Sequence, residues 1–133
     1  MLLVRVRLAP SPLHGIGVFA VDPIPRGAEV WRFAPGLDLD LDPSVLDAQP
    51  PLARESLLHY GYIDLRLHRY ILGCDEVRFF NHSDTPNVVP DFTRDRYGVY
   101  SAARDIAAGE EITVNYELVD GERPEPQGNR IKV

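Results

Sequence analysis

Alternation with a period of two, repeated in short stretches, is the feature that most limits what this chain can fold into. In "LLVRVRL" (2–8), Val4, Val6 and Leu8 alternate with Arg5 and Arg7, the pattern of a strand with one buried and one solvated face. "IGVFAV" (16–21), "AEVWRF" (28–33), "HRYIL" (68–72), "NVVPDF" (87–92) and "YGVYSAA" (97–103) read as further short strands. In "EITVNY" (111–116), Ile112, Val114 and Tyr116 share one face, with Thr113 and Asn115 on the other. If the first face points inward, the Tyr116 hydroxyl needs a partner there. Helix is scarce. Asp42 followed by Pro43 looks like an N-cap with proline at the first helical position, opening a short helix through Ala48. Pro50-Pro51 breaks it, and "PLARESLLHYG" (51–61) reads as a second short helix ending near Gly61. The expected domain is mostly β.

One pattern occurs twice. "IPRGAEV" (24–30) and "IAAGEEI" (106–112) share Ile-x-x-Gly-x-Glu-Val/Ile, so Gly27 and Gly109 each predict a tight turn before a new strand. The echo is too short for a repeat architecture. "ELVDGERPEPQGNRIKV" (117–133) has no aromatic residue and is rich in Pro, Gly and polar side chains, which predicts a mobile tail.

At 133 residues the chain fits one domain with a modest core. No apolar run approaches the ~20 residues of a membrane span, and "MLLVRVRLAPSP" lacks the long apolar stretch of a secretory signal. Cys74 stands alone, which excludes a disulfide framework and a cysteine-based zinc site. These observations predict a cytoplasmic protein, in which the sequon-like Asn81-His82-Ser83 carries no meaning for glycosylation. A formal charge of −6 argues against direct nucleic-acid binding and favours a basic partner. The basic side chains are almost all Arg, Lys132 being the single lysine. Codon composition is the plain explanation; avoidance of self-modification on lysine is the sharper one.

"RFFNHSDTPN" (78–87) is the most unusual run, because it sets two aromatics beside four consecutive polar residues. Buried polar groups need partners, so the run is either a strand entering a turn or a binding loop. Several chemistries fail here. His82, Ser83 and Asp84 are neighbours in the chain, and a catalytic triad is a spatial arrangement. His14, His59, His68 and His82 lack metal-ligand spacing, so no metal site is expected. "HGIGVF" holds Gly-x-Gly, but no helix follows to aim a dipole at a phosphate, which leaves a tight turn as the plain reading. Arg78 offers a cation and Asn81 a combined donor and acceptor, a pair suited to a zwitterionic amino-acid moiety.

Three segments in order carry a resemblance: "HGIGVFA" (14–20), "RFFNHSDTPN" (78–87) and "EEITVNYE" (110–117). The chain resembles the SET-domain protein lysine methyltransferases over roughly residues 3 to 117. Its second segment matches the family's Arg-Phe-x-Asn-His-Ser-x-x-Pro-Asn at every fixed position. The resemblance implies a β-clip-like SET fold of several small curved sheets with short helices. In it the Asn-His-Ser segment and the Tyr116 strand form a knot-like crossing. The domain would span 1–117, with a helical insert at about 42–61 and a polar C-terminal tail at 118–133. S-adenosylmethionine would bind one face, and a lysine of a protein substrate would enter from the other. By motif position, Gly15, Ile16, Gly17, Arg78, Phe79, Asn81 and His82 would hold the cofactor. Tyr116 would contact it as the catalytic tyrosine, and Val114, Tyr60 and Tyr62 would line the substrate channel.

The chemistry suits such residues, because in-line methyl transfer to a neutral amine depends mostly on alignment. Three positions depart from the family pattern: Val114 replaces Phe or Tyr, Asn115 replaces Asp, and Asp84 replaces Cys. Val114 and Asn115, with no aromatic residue after Tyr116 to roof the channel, carry the alternative reading, a SET-fold binding module with weak or no turnover.

Overall fold

The computed structural model describes residues 1–120. The strands are β1 (Val6–Pro10), β2 (Ile16–Ala20), β3 (Glu29–Trp31), β4 (Leu39–Leu41), β5 (Tyr62–Ile63), β6 (Tyr70–Leu72), β7 (Asn81–His82), β8 (Val88–Asp91), β9 (Val99–Ala102) and β10 (Thr113–Val114). Two helices, α1 (Ser44–Asp47) and α2 (Pro51–Tyr60), lie between β4 and β5. The strands form four small sheets: a β1–β2 hairpin, β3–β9–β8, β4–β6–β5, and a parallel pair of β7 with β10. This is the mostly β architecture expected of a SET-like fold, with the Asn-His-Ser segment laid against the strand that leads to Tyr116.

The first strand begins later than the alternation predicts. Val6 pairs with Ala20 and Pro10 with Ile16, while Leu2 bridges to Trp31 instead. Val4 and Val6 pack on the core as expected. Leu8 does not; it is 42% exposed, because the far half of the hairpin extends past the layer that covers Val4 and Val6. Thr113 also departs from the alternation. It is buried along with Ile112 and Val114, since β10 is covered on both faces and a polar residue is admitted there only with partners.

The repeated corners find their explanation in each other. Ile24 and Ile106 exchange backbone hydrogen bonds, 2.8 Å in each direction. Gly27 and Gly109 follow at φ 84° and 83°, a left-handed conformation that glycine adopts without a steric penalty. Their N–H groups donate to Ala102 and Ala20 respectively. One local solution is thus used twice, on two chain segments that pair.

The principal core gathers Val18, Val30, Ile71, Val88, Ile106 and Ile112, with Trp31, Phe80 and Tyr100 around them. The helical insert has a small core of its own, in which Leu46, Ile63 and Tyr70 pack with Leu57 and Leu58. The Tyr70 hydroxyl donates to the Leu57 carbonyl at 2.7 Å. Both helices lie where the prolines place them, with one shift: Pro43 precedes the helix, and Asp42 accepts from Ser44 N at 2.9 Å.

Residues 118–120 belong to the fold, contrary to a tail that begins at 118. Val119 is buried in the core, its carbonyl accepts from Leu65 N at 2.9 Å, and Asp120 bridges to Asp64. Val119 is the apolar residue that a composition average over 117–133 conceals. The rest of the expected tail, 121–133, lies outside the described residues.

Asp40 links two of these sheets. Its carboxylate accepts from Arg69 Nε at 2.6 Å and from the Tyr97 hydroxyl, and Tyr97 stacks on Phe33 with ring centres 3.8 Å apart. Burial pushes the Asp40 carboxyl up, but the Tyr97 and Arg69 hydrogen bonds outweigh it and hold the group below its ordinary value of 3.8. The folded state then binds fewer protons than the unfolded state in acid. The stabilisation is therefore full above pH 3.8 and is lost as pH falls through the lower folded value. Thermal melts taken from pH 6 downward are expected to show the midpoint dropping below about pH 4. Asp40→Asn should lower the midpoint near neutrality and flatten that acid slope; an unchanged slope would remove Asp40 from the titration.

Candidate active site

The first wall is a loop folded on one serine. Ser11 N donates to the Gly15 carbonyl at 2.7 Å, and Ser11 Oγ accepts from Leu13 N and His14 N at 2.9 and 3.3 Å. Gly15 turns the chain at φ 47°, bringing Ile16 and Gly17 into β2. Ser11 Oγ then reaches both carboxylate oxygens of Glu111, at 2.9 and 2.8 Å. Glu111 fills the space beside Gly17. A Cβ at 17 would sit 2.2 Å from Glu111 Oε1 and 2.8 Å from Cδ. The second glycine of the Gly-x-Gly run therefore leaves room for a side chain of the protein, whose carboxylate would have to shift for any Cβ at 17.

The second wall is the aromatic and polar run. Asp75 caps a 3-10 turn over Glu76–Phe79 by accepting from Val77 N at 3.2 Å. That turn throws Arg78 and Phe79 to one side and sends Phe80 into the core. Arg78 donates through Nε and Nη2 to the Gly73 carbonyl at 3.1 and 2.8 Å. Its guanidinium lies 5.8 Å from the Tyr60 ring centre, and Phe79 meets the same ring edge-on at 5.8 Å. Asn81, only 2% exposed, donates through Nδ2 to His14 O at 3.0 Å, Ile16 O at 3.3 Å and Glu111 Oε1 at 2.7 Å.

His82 and Asp84 do touch, contrary to the expectation that chain neighbours point apart. Nε2 lies 2.8 Å from Asp84 Oδ1, since residues two apart on an extended chain share a side. Nδ1 accepts from Tyr116 N at 3.2 Å, so the ring's acceptor nitrogen is engaged by backbone and the pair does not activate a nucleophile. The substitution of Cys by Asp at 84 thus has a local use, as the acceptor that fixes the His82 tautomer.

The third wall follows β10 directly. Asn115 Oδ1 accepts from Glu117 N at 2.9 Å and caps the 3-10 turn Tyr116–Leu118. This is an acceptor role that Asn performs as Asp would. Tyr116 donates its hydroxyl to the Phe80 carbonyl, the partner that an inward tyrosine was expected to need.

A cleft of about 620 Å³, counted to its open mouth, is lined by residues of the second and third walls. Tyr60, Tyr62, Arg78, Val114 and Tyr116 line it, as do Trp31, Phe80 and Tyr100. Gly15, Ile16, Gly17, Asn81 and His82 are grouped beside it around the Asn81 amide, with Phe79 between, against Tyr60. Tyr116 belongs to both groups. The two mid-domain tyrosines also separate: Tyr60 meets Arg78 and Phe79, whereas Tyr62 lies close to Tyr100. Burial first, with Asp64 nearby, pushes both of these phenols up. Sequence reasoning gave no role to Glu111 or Trp31. Glu111 alone had a signal, as the glutamate of the repeated Ile-x-x-Gly-x-Glu corner.

A family model described as the SET domain matches residues 15–117. The chain belongs to the SET-domain family. A search of curated proteins finds no match. Among solved structures, a Plasmodium falciparum protein described as a candidate histone methyltransferase is 21% identical, with a TM-score of 0.56 over 85% of this chain and 93% of that one. The Chaetomium thermophilum Polycomb repressive complex 2 bound to GSK126 is 24% identical, with a TM-score of 0.64 over 90% of this chain. This SET domain spans 16% of that larger chain. At such identities these likenesses show the fold.

The glycine contact yields a test. Gly17→Ala drives a methyl-sized group into Glu111 and is expected to destabilise the fold by roughly 1–3 kcal/mol, the usual cost of overpacking. Urea unfolding measures it, and a variant as stable as wild type would show that the carboxylate moves aside without cost.

Proposed function

We propose that this chain is an S-adenosylmethionine-dependent N-methyltransferase acting on a lysine side chain of a protein. The observation that carries the reading is the position of Tyr116, which lines the cleft, donates to the Phe80 carbonyl and is tied by its backbone to His82.

The residues fit the cofactor's functional groups. The His14 and Ile16 carbonyls converge on one point beside Asn81, an acceptor set for an ammonium. Arg78 is the cation for a carboxylate, and Tyr60 with Phe79 gives aromatic surface for an adenine. When bound, this cofactor supplies a methyl group on a positively charged sulfur. Tyr116 and the Phe80 carbonyl would favour the polarised methyl with their oxygens. Tyr62, Val114, Trp31 and Tyr100 would exclude water from the lysine end, and that desolvation favours the neutral, attacking amine. An acidic chain of net charge −6 suits a basic protein substrate, and near-absence of lysine limits self-methylation. The structural neighbours described as histone methyltransferase and Polycomb complexes support a protein substrate. The alternative, a SET-fold binding module, rests on Val114, which offers the amine no hydroxyl. Asn115 no longer supports it, since its cap is intact.

Calorimetry with S-adenosylmethionine, paired with transfer of a labelled methyl group to proteins of a cell extract, tests the reading. Wild type should bind and transfer, and Asn81→Ala should weaken binding by roughly 1–3 kcal/mol. Tyr116→Phe should keep the affinity and lose most of the turnover. Binding without transfer by wild type would leave the binding module; no binding would remove both readings.

Product number is the second test. Val114 contributes neither bulk nor a hydrogen bond at the lysine end, where Tyr62 and Tyr100 lie close to each other. Products beyond monomethyl-lysine are expected from wild type, with a shift toward monomethyl-lysine in Val114→Tyr. Mass spectrometry of a substrate peptide at long reaction times reads this. Exclusive monomethylation by wild type would assign the restraint to the tyrosine pair.

A further inference from the structure

Glu111 is the point at which the separate pieces of the cofactor cradle meet. Through Ser11 it holds the loop that carries His14 and Gly15, 100 residues away in sequence. Through Asn81 it holds the polar run, 30 residues away. Against Gly17 its carboxylate sits where no side chain would fit.

The bonds around Asn81 are unequal. An amide nitrogen has two hydrogens, and Nδ2 faces three acceptors, at 2.7 Å for Glu111 Oε1 and at 3.0 and 3.3 Å for the carbonyls of His14 and Ile16. The shortest contact ends on a charged oxygen and takes one hydrogen. The two carbonyls share the other. Each carbonyl oxygen has a second lone pair, so a carbonyl fixed by this amide can still accept from a ligand. The placement of both carbonyls therefore depends on the rotamer of Asn81, and Glu111 sets that rotamer. Ser11 holds the same carboxylate from its other side.

We propose that Glu111 is a positioning residue for the amine of the bound cofactor. It acts through Asn81 and Ser11 to fix the His14 and Ile16 carbonyls as ammonium acceptors, and its charge adds attraction for that cation. The proposal rests on the reading of this site as one for S-adenosylmethionine. It goes further by making amine recognition depend on a carboxylate that need not touch the ligand.

The test separates positioning from general support of the fold. Affinities of wild type, Glu111→Ala and Glu111→Gln are measured by calorimetry for S-adenosylhomocysteine and for its deaminated analogue, in which hydrogen replaces the α-amine. Wild type should prefer the amine-bearing ligand. Glu111→Ala should bind it about tenfold or more weakly, as expected when a charge-assisted network is lost. It should bind the deaminated analogue within about twofold of wild type, so that the preference collapses. Glu111→Gln keeps an oxygen for Asn81 and Ser11 but no charge, and should fall between. If Glu111→Ala fails to fold, Glu111→Gln carries the test by the same narrowing of the preference. Equal weakening of both ligands would make Glu111 a structural residue only and overturn the proposal, as would an unchanged preference in a folded variant. Failure of wild type to bind S-adenosylhomocysteine would overturn the cofactor reading itself, and the proposal with it.

Discussion

Two buried side-chain amides, Asn81 and Asn87, complete a crossing that backbone pairing alone is too short to hold. β7 and β10 contribute two residues each, Asn81 opposite Thr113 and His82 opposite Val114, with Ser83 N donating to Val114 O just beyond. Asn87 extends the pairing with its side chain. Its Nδ2 donates to Glu111 O at 2.7 Å, and its Oδ1 accepts from Thr113 N at 2.9 Å. One amide therefore stands in for a strand on either side of Ile112. Each of these buried backbone groups would otherwise cost free energy comparable to a lost hydrogen bond. This is why the run "NHSDTPN" can bury a polar residue at each end: its asparagines bond backbone, and the exposed Asp84 and Thr85 turn the chain between them.

The chemistry of the site follows from that crossing. Tyr116 comes two residues after β10, so whatever fixes the register of β10 also fixes the tyrosine. His82 closes the loop by accepting from Tyr116 N, and the Phe80 carbonyl receives the hydroxyl. Residues 80, 82 and 116 thus form a rigid unit whose positions cannot be adjusted independently. Glu111 precedes the same strand by two residues, which explains how a single short segment serves both the Ser11–Gly15 loop and the tyrosine.

Sequence reasoning located what is local and lost what depends on long-range pairing. Strands of four or five residues such as β2, β8 and β9 show their pattern, and the prolines place both helices. β5 and β7 have only two residues each, whereas β4 lies in "LDLDLD" (37–42), an alternation that the sequence reading passed over. The polar run was recognisable as a site because its composition contradicts both core and loop. The roles within it were not recognisable: Asn87 mimics a backbone partner only once residues 111–113 are known to lie beside it. Tyr60 and Tyr62 could not be told apart in sequence, since what distinguishes them is their neighbours, Arg78 and Phe79 for one and Tyr100 for the other. The Gly-x-Gly run reads in sequence as a tight turn, and nothing local shows that Gly17 leaves room for another side chain. The residue that occupies that room, Glu111, is nearly a hundred positions away.

The far end of the cleft raises an electrostatic question that its buried phenols answer. A methyl acceptor must arrive as a neutral amine, and an anion close to it would hold the proton on. Tyr62 and Tyr100 are pushed up by burial first, so they stay neutral. The carboxylate nearest them, Asp64, is fully buried, but its charge is spent elsewhere. It accepts from the backbone of Arg66 and Leu67 at 2.8 and 2.9 Å and pairs with the Arg66 guanidinium at 3.2 Å. That guanidinium in turn lies flat on Phe92, 3.4 Å from the ring centre. On the proposed reading, Tyr62, Tyr100 and Val114 give the lysine end an uncharged face, which can orient a neutral amine without stabilising the ammonium. Asp120 also lines the cleft, and its carboxylate is a group there that would favour the ammonium, the form that does not react.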